Sequence, residues 1–381
     1  MCKKIVFLMP NFEVIGAQKM CLNVIENLDK KQYLSTLIVQ DEVGLLSKEP
    51  TYSIDHLVLK TNSKGGLFSK IQTIFSPLKL AIYINKIKPD FVISIAPGMN
   101  IILLISAFFY KFKRPYIIIE EHQHLSTSLE MDKNSHSSFM SIFYKYFIKI
   151  YNKADCLKVV SQSSKDDFVK KWGIQENKIR VINPPINTTR LIERSTQAVP
   201  KNIKSFIKNS KYIFSLGRIE SQKGFDLLLN SFLLTLEFEP DLKLIICGDG
   251  SLRKHFTKYV IDYNLEDKIL FTGYLDNPYP LFKNATAFCL TSIWEGMPVV
   301  IMESMILNCP VISVDCPSGP SEMIINNRNG LLVNRNEKDL ALGIKYVLDN
   351  PLEVEEWKKV AFSNAKEWGI ENYIKSLKTI I

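Results

Sequence analysis

At 381 residues the chain is longer than one hydrophobic core usually serves, so two domains are expected. Its 46% hydrophobic and 23% charged residues exclude a largely disordered chain, a collagen-like fibre and a small disulfide scaffold. The net charge of +9 is unevenly spread: residues 1–190 hold 26 Lys/Arg against 16 Asp/Glu, and residues 191–381 hold 22 against 23. A basic first half suits an anionic partner, whether a membrane surface, a phosphorylated lipid or nucleic acid, and equally suits an ordinary solvated surface.

Taken in chain order, short apolar strands alternate with helical patterns in two rounds. Lys3–Met9 is β-branched and apolar, a polar turn with Pro10, Asn11 and Gly16 follows, and Ala17–Leu28 has helical spacing. Leu34–Gln40, His56–Leu59, Phe91–Ile95, Tyr116–Ile119 and Leu157–Val160 repeat the buried-strand signal, with helical stretches at Phe68–Ile87 and Phe139–Asn152. Asn183-Pro184-Pro185 ends this round, because consecutive prolines interrupt both helix and ladder. Asn187–Ser210 reads as a linker with one short helix. The second round has strands at Tyr212–Leu216, Leu242–Cys247, Ile269–Phe271, Ala287–Leu290, Val311–Val314 and Gly330–Val333. Strands alternating with helices predict parallel sheets covered on both faces, hence two doubly wound α/β domains.

The longest apolar run, Ile101–Tyr110, is about half of what a membrane-spanning helix needs. Seven scattered cysteines without a C-x-x-C point to a reducing cytoplasm. There is no D-x-D pair, no H-E-x-x-H and no cysteine–histidine ligand cluster, so a metal is not expected.

In doubly wound sheets ligands sit at the carboxyl ends of strands, and the glycine and charge signals fall there. Ser215–Asp226 follows a strand directly: Gly217 permits a sharp turn, while Arg218 and Lys223 offer two cations suited to a diphosphate. Ile246-Cys247-Gly248-Asp249-Gly250 is a strand ending in a tight turn and lacks the third glycine of a dinucleotide fingerprint. Trp294–Glu303 puts Glu295 on a glycine turn, Pro298 at a helix start and Glu303 on that helix. Carboxylates so placed can accept hydrogen bonds from sugar hydroxyls, and the helix start at Gly296, Met297, Pro298 and Val299 suits a phosphate. Dipole compensation at a helix start is the plainer role for Glu295.

Together these pieces resemble the donor half of retaining glycosyltransferases of family 4, with the GT-B fold. The resemblance rests on G-R-x4-K-G-F-D at Gly217–Asp226, G-D-G at Gly248–Gly250, F-x-G at Phe271–Gly273 and E-x7-E at Glu295 and Glu303. In the first half it rests on Gly16-Ala17 after the first strand and Glu121-His122 after another. It implies two Rossmann-like domains facing a central cleft: an acceptor domain over 1–186, a linker over 187–210, and a nucleotide-sugar domain over 211–361. A last helix near 362–381 is expected to pack back on the first domain.

The implied reaction is transfer of a sugar, an N-acetylhexosamine or hexose, from a nucleotide-diphosphate donor with retention and without a metal or other cofactor. Arg218 and Lys223 would neutralise the departing diphosphate, Glu303 would hold the ribose, Glu295 would grip the sugar, and the Gly16 loop would close on the phosphates. His122 would face the sugar; His124, two residues on, competes for that role. The Gly319–Glu322 stretch resembles enzymes using UDP-N-acetylhexosamines, which favours UDP.

The implied acceptor is a saccharide or a polyprenyl- or lipid-linked one in bacterial surface polysaccharide synthesis, with the enzyme at the inner face of the plasma membrane. Two aromatic and basic segments could meet that membrane, Ile142–Tyr151 and Phe108–Arg114, or their rings could simply face the core. A nucleotide-sugar 2-epimerase of the same architecture and a non-catalytic basic binding protein are the rival readings. No RNA- or DNA-binding motif is present to support nucleic acid as a partner.

Overall fold

The computed structural model describes residues 2–13, 16–44, 56–60, 67–132 and 147–381. The chain forms two units, Met1–Pro185 with Ile370–Ile381, and Ile186–Gly369.

The first unit is built on a parallel sheet of β1 (Lys3–Met9), β2 (Tyr33–Val39), β3 (His56–Val58), β4 (Phe91–Ile95), β5 (Tyr116–Glu121), β6 (Cys156–Val159) and β7 (Ile179–Val181). Their spatial order is β3-β2-β1-β4-β5-β6-β7. Side chains of a strand alternate between faces, and here both faces are covered. Ile5, Phe7 and Met9 enter one core with Leu22 and Ile25 of the helix Gly16–Asn27. Tyr373 and Leu377 of the last helix, Ile370–Leu377, join that same core. Val6 and Leu8 enter the other, against Leu80 and Ile84 of the helix Leu67–Ile87 and Leu103 of the helix Pro97–Ser106.

The second unit repeats the plan with β8 (Tyr212–Leu216), β9 (Lys243–Cys247), β10 (Ile269–Gly273), β11 (Ala287–Leu290), β12 (Val311–Val314) and β13 (Leu331–Val333), in the order β10-β9-β8-β11-β12-β13. Both sheets thus have the expected doubly wound order. In each, connections leave in opposite directions from the middle, which opens a crevice at the carboxyl ends of β1 and β4 and of β8 and β11.

Three local differences from the sequence reading have physical causes. β7 is only three residues long with exposed Arg180 at its centre, so its apolar signal is weak. The stretch 187–210 forms two helices, Thr188–Ser195 and Lys201–Phe206, and belongs with the second unit. Asn187 starts the first by accepting the Arg190 amide at 3.0 Å, and buried Leu191 and Ile203 anchor the two. The helix expected over 139–152 lies largely outside the described residues; Ile148–Lys153 is a 3₁₀ segment with Ile148 and Tyr151 in the core.

Candidate active site

The second unit's crevice is stitched together by its own backbone. Ser215 Oγ donates to the Cys289 carbonyl at 2.9 Å, tying β8 to β11 at the point where the sheet order reverses. Beyond the strands the two loops stay joined: the Ile293 amide donates to Gln222 O at 2.8 Å, Gln222 Nε2 to Trp294 O at 3.0 Å, and Thr291 Oγ1 to Lys223 O at 3.0 Å. Gly224 makes this closeness possible, with φ at 58° and an added Cβ only 2.3 Å from Thr291 O.

That stitching delivers Lys223 Nζ to Glu295 Oε1 at 2.6 Å, and Ser292 Oγ donates to the same oxygen at 2.6 Å. Both side chains are largely buried, at 16% and 10% exposure, so the attraction is weakly screened. Among the described residues, both donors fall on Oε1 and none on Oε2. Arg218 is exposed on the same loop.

Sequence reasoning missed Arg335, which follows β13. Its Nη2 would lie 3.2 Å from a Cβ on Gly224, placing a further cation beside these loops. No motif flags it, because it stands more than 110 residues from Lys223; its place just past a strand's carboxyl end was the available signal. Cys316 also lies in this field, where burial, then Glu295, push its thiol up to about 12 and leave it unreactive.

Gly248 has φ at 140°, and an added Cβ would sit 1.9 Å from Gly217 O. A Gly248→Ala change therefore has no relaxed solution short of moving the Gly217–Lys223 loop. It is expected to lower the melting temperature and weaken nucleotide-sugar binding together, by about 2–4 kcal/mol in stability, measurable by calorimetry and ligand titration.

The third loop is held by different contacts. The Glu295 amide donates to Pro317 O at 3.3 Å, and Ser318 Oγ to Gly296 O at 2.8 Å. Pro298 stands at the cap of the helix Val299–Ile306, on which Glu303 lies one turn in. Gly319, at φ 91°, passes so close to that cap that an added Cβ would sit 2.5 Å from Pro298 Cδ. Glu303 is part-buried and accepts from Tyr279 OH at 3.1 Å. Glu303, then burial, pushes the Tyr279 hydroxyl up, so it stays a donor. The Arg194 guanidinium stacks 5.7 Å from the Tyr279 ring centre.

In the first unit the carboxyl end of β5 carries two adjacent buried carboxylates with different fates. Glu120 Oε2 meets Lys158 Nζ at 2.8 Å and His122 Nε2 at 3.2 Å. Lys158, fully buried on β6, also donates to Tyr373 OH at 2.6 Å. Burial pushes the Glu120 carboxyl up, but Lys158 and His122 outweigh it and hold it below the ordinary range. An ionised Glu120 can only accept, so His122 Nε2 is the donor of the hydrogen bond between them. His124 Nδ1 instead pairs with Thr127 Oγ1 at 2.9 Å, within its own turn.

Gly16 begins its helix in the open, with nothing within 4 Å of an added Cβ, and Val14 and Ile15 of its loop lie outside the described residues. Among the described residues no group of three or more His, Cys, Asp or Glu could hold a metal ion.

Glu121 accepts from Tyr151 OH at 2.5 Å and from Asn100 Nδ2 at 2.9 Å. Burial dominates and raises its pKa to about 7. A carboxyl whose folded pKa is raised gives stability that is full below about pH 4.5 and is lost as pH rises through 7. Glu120 works in the opposite sense and only below pH 4.5. Stability of the first unit is therefore expected to fall by roughly 3 kcal/mol between pH 4.5 and 7.5, and Glu121→Gln to flatten that slope in melts taken across the range.

Comparison with known proteins decides the family. The sequence pattern described as "Glycosyltransferase Family 4" matches residues 14–190, and that of "Glycosyl transferases group 1" matches residues 199–364. The chain belongs to the family 4 glycosyltransferases. It is 28% identical over 360 residues to an uncharacterized glycosyltransferase of Methanocaldococcus jannaschii, covering 85% of this chain and 87% of that one. It is 25% identical over 353 residues to the Campylobacter jejuni N-acetylgalactosamine-N,N'-diacetylbacillosaminyl-diphospho-undecaprenol 4-alpha-N-acetylgalactosaminyltransferase, covering 92% of each. Anabaena HepE, solved in complex with UDP and glucose, superposes with a TM-score of 0.81 at 17% identity over 99% of this chain and 98% of its own. The fold of this glycosyltransferase is GT-B. Among its described residues no helix is long and apolar enough to cross a membrane.

Proposed function

We propose that this glycosyltransferase moves an N-acetylhexosamine or hexose from a UDP-sugar, with retention and without a metal, to a saccharide or lipid-linked acceptor in surface polysaccharide synthesis. The observation that carries the reading is the Lys223–Glu295 pair at 2.6 Å where the second sheet's order reverses. When the bond between the sugar's anomeric carbon and the diphosphate breaks, negative charge grows on the β-phosphate. Fixed cations at that place stabilise the transition state more than the bound substrate. Arg218 and Lys223, with Arg335 beside them, supply what a metal would otherwise supply.

Glu295, anchored through Oε1, offers Oε2 to a sugar hydroxyl; Glu303, braced by Tyr279, accepts from the ribose. UDP is supported by the neighbour crystallised with it, and a lipid-linked acceptor by the Campylobacter relative's name. That relative is by name an α-transferase, and a UDP-hexose carries its sugar in α-linkage, so the same outcome here means retention. A lipid-linked acceptor would keep the enzyme in the cytoplasm, at the inner face of the plasma membrane.

Thermal melts with UDP-, GDP- and ADP-sugars test the donor. A shift with UDP-sugars alone that disappears in Arg218→Ala is expected, and equal shifts with all three, or none, count against it. The product's anomeric proton, read by NMR, tests retention, and unchanged turnover in excess chelator tests metal independence.

A further inference from the structure

The helix Leu67–Ile87 is apolar on two sides, and among the described residues only one side packs into a core. Leu80 and Ile84 are fully buried in the core. On the other side Ile74, Leu78 and Ile82 follow one another at four-residue spacing, with Phe75 beside them. Ile74 is 73% exposed and Ile82 66%. Exposed Lys86 continues the same line by one more turn.

Asn85 fastens this stripe to a second apolar feature. Its Nδ2 donates to Phe109 O at 3.2 Å and its Oδ1 accepts from the Lys111 amide at 2.9 Å. Phe108, 66% exposed, and the exposed Phe109 are thereby fixed alongside the helix. Lys153 Nζ lies 4.2 Å from the Phe108 ring centre. Single exposed apolar residues are ordinary on a protein surface, but a contiguous set on two joined elements is not.

The charge around this patch says what covers it. Residues 67–115 contain seven Lys/Arg and one acid, Asp90. Arg114 is paired with Asp155 at 2.8 Å, but Lys86, Lys88, Lys111, Lys113 and Lys153 are exposed. Protein–protein interfaces are depleted in lysine, whereas apolar residues ringed by lysines match a bilayer interface carrying anionic head groups.

We propose that the face formed by Ile74, Phe75, Leu78, Ile82, Phe108 and Phe109 docks this enzyme on an anionic lipid bilayer. The side chains enter the interfacial zone, and the surrounding lysines engage head-group phosphates. Its purpose rests on the reading that the acceptor is borne by a lipid. Of the two aromatic and basic segments in the sequence, the one at Phe108 presents its rings to solvent, while Ile148 and Tyr151 of the other are in the core.

The test is co-sedimentation of the full chain with vesicles of phosphatidylglycerol and phosphatidylcholine (1:1) and of phosphatidylcholine alone. Each lysine at the surface adds roughly a factor of five in affinity for an anionic bilayer at low salt. Binding to the mixed vesicles is therefore expected to exceed binding to phosphatidylcholine by at least about 100-fold and to weaken in high salt. Ile74→Ser/Ile82→Ser/Phe108→Ser, all at exposed sites, is expected to lower binding at least about tenfold while the melting temperature and UDP binding stay unchanged.

Failure of the unaltered protein to sediment with anionic vesicles at low salt overturns the proposal. So does undiminished binding by the triple variant. Lipid-free self-association that the triple variant abolishes would assign the face to a second copy and also overturn it. If vesicles are not bound but UDP-sugar is transferred to a soluble saccharide, the docking surface alone falls. If vesicles are bound and no UDP-sugar is consumed, the enzymatic reading alone falls.

Discussion

Replacing Arg218 and Lys223 together with alanine is expected to reduce sugar transfer by at least about 10³-fold. Removing one preorganised donor from a site of developing charge typically costs about 10²–10³ in rate, and two donors on one diphosphate act as a unit rather than additively. The single variants should differ in kind. Arg218 is exposed and its loss leaves the fold alone, so Arg218→Ala lowers kcat/KM with little change in stability. Lys223 is also the partner of Glu295, which is 10% exposed. Lys223→Ala leaves that carboxylate without its cation, so activity and stability fall together. Lys223→Ala/Glu295→Gln should recover stability without recovering rate, which separates the two roles of the lysine. Steady-state rates with parallel melts read both quantities.

The largest stability effect is expected at a site away from that loop. Lys158→Met should destabilise the first unit by about 3–5 kcal/mol, because Glu120 then keeps a buried charge without its lysine. Lys158 Nζ is also the donor to Tyr373 OH at 2.6 Å, and the ring centre of Tyr373 lies 4.7 Å from it. Tyr373→Phe removes only that hydrogen bond and should cost about 1–1.5 kcal/mol. Lys158→Met/Glu120→Gln, which removes both charges, should regain much of the loss. If the single and double variants are equally destabilised, packing and not the ion pair accounts for the cost.

Most of the fold was readable because parallel strands buried on both faces are continuous apolar runs, as in Ile5–Met9 of β1 and Leu244-Ile245-Ile246 of β9. The loops of the second unit were readable for a different reason: glycines and cations at fixed spacing after a strand report where the backbone must turn and charge must collect. What was not readable depends on contacts distant in sequence. Lys158 sits in an otherwise apolar strand, and its partner Tyr373 is 215 residues away. Arg335 carries no motif, and Tyr279 gains its place only by meeting Glu303. The pairing of Lys223 with Glu295 follows from two loops crossing where the sheet order reverses, a property of topology and not of either segment alone.

The central claim is that the cations Arg218 and Lys223 on the loop after β8 hold a nucleoside diphosphate by its phosphates. Titration calorimetry with UDP and with uridine, on the unaltered enzyme and on Arg218→Ala/Lys223→Ala, addresses it most directly. UDP should bind the unaltered enzyme at least about 100-fold more tightly than uridine, since each charge-assisted hydrogen bond contributes about 1.5–3 kcal/mol, and the variant should bind the two nearly alike. Equal affinity of the unaltered enzyme for both ligands, or a preference for UDP that survives in the folded variant, would contradict the claim.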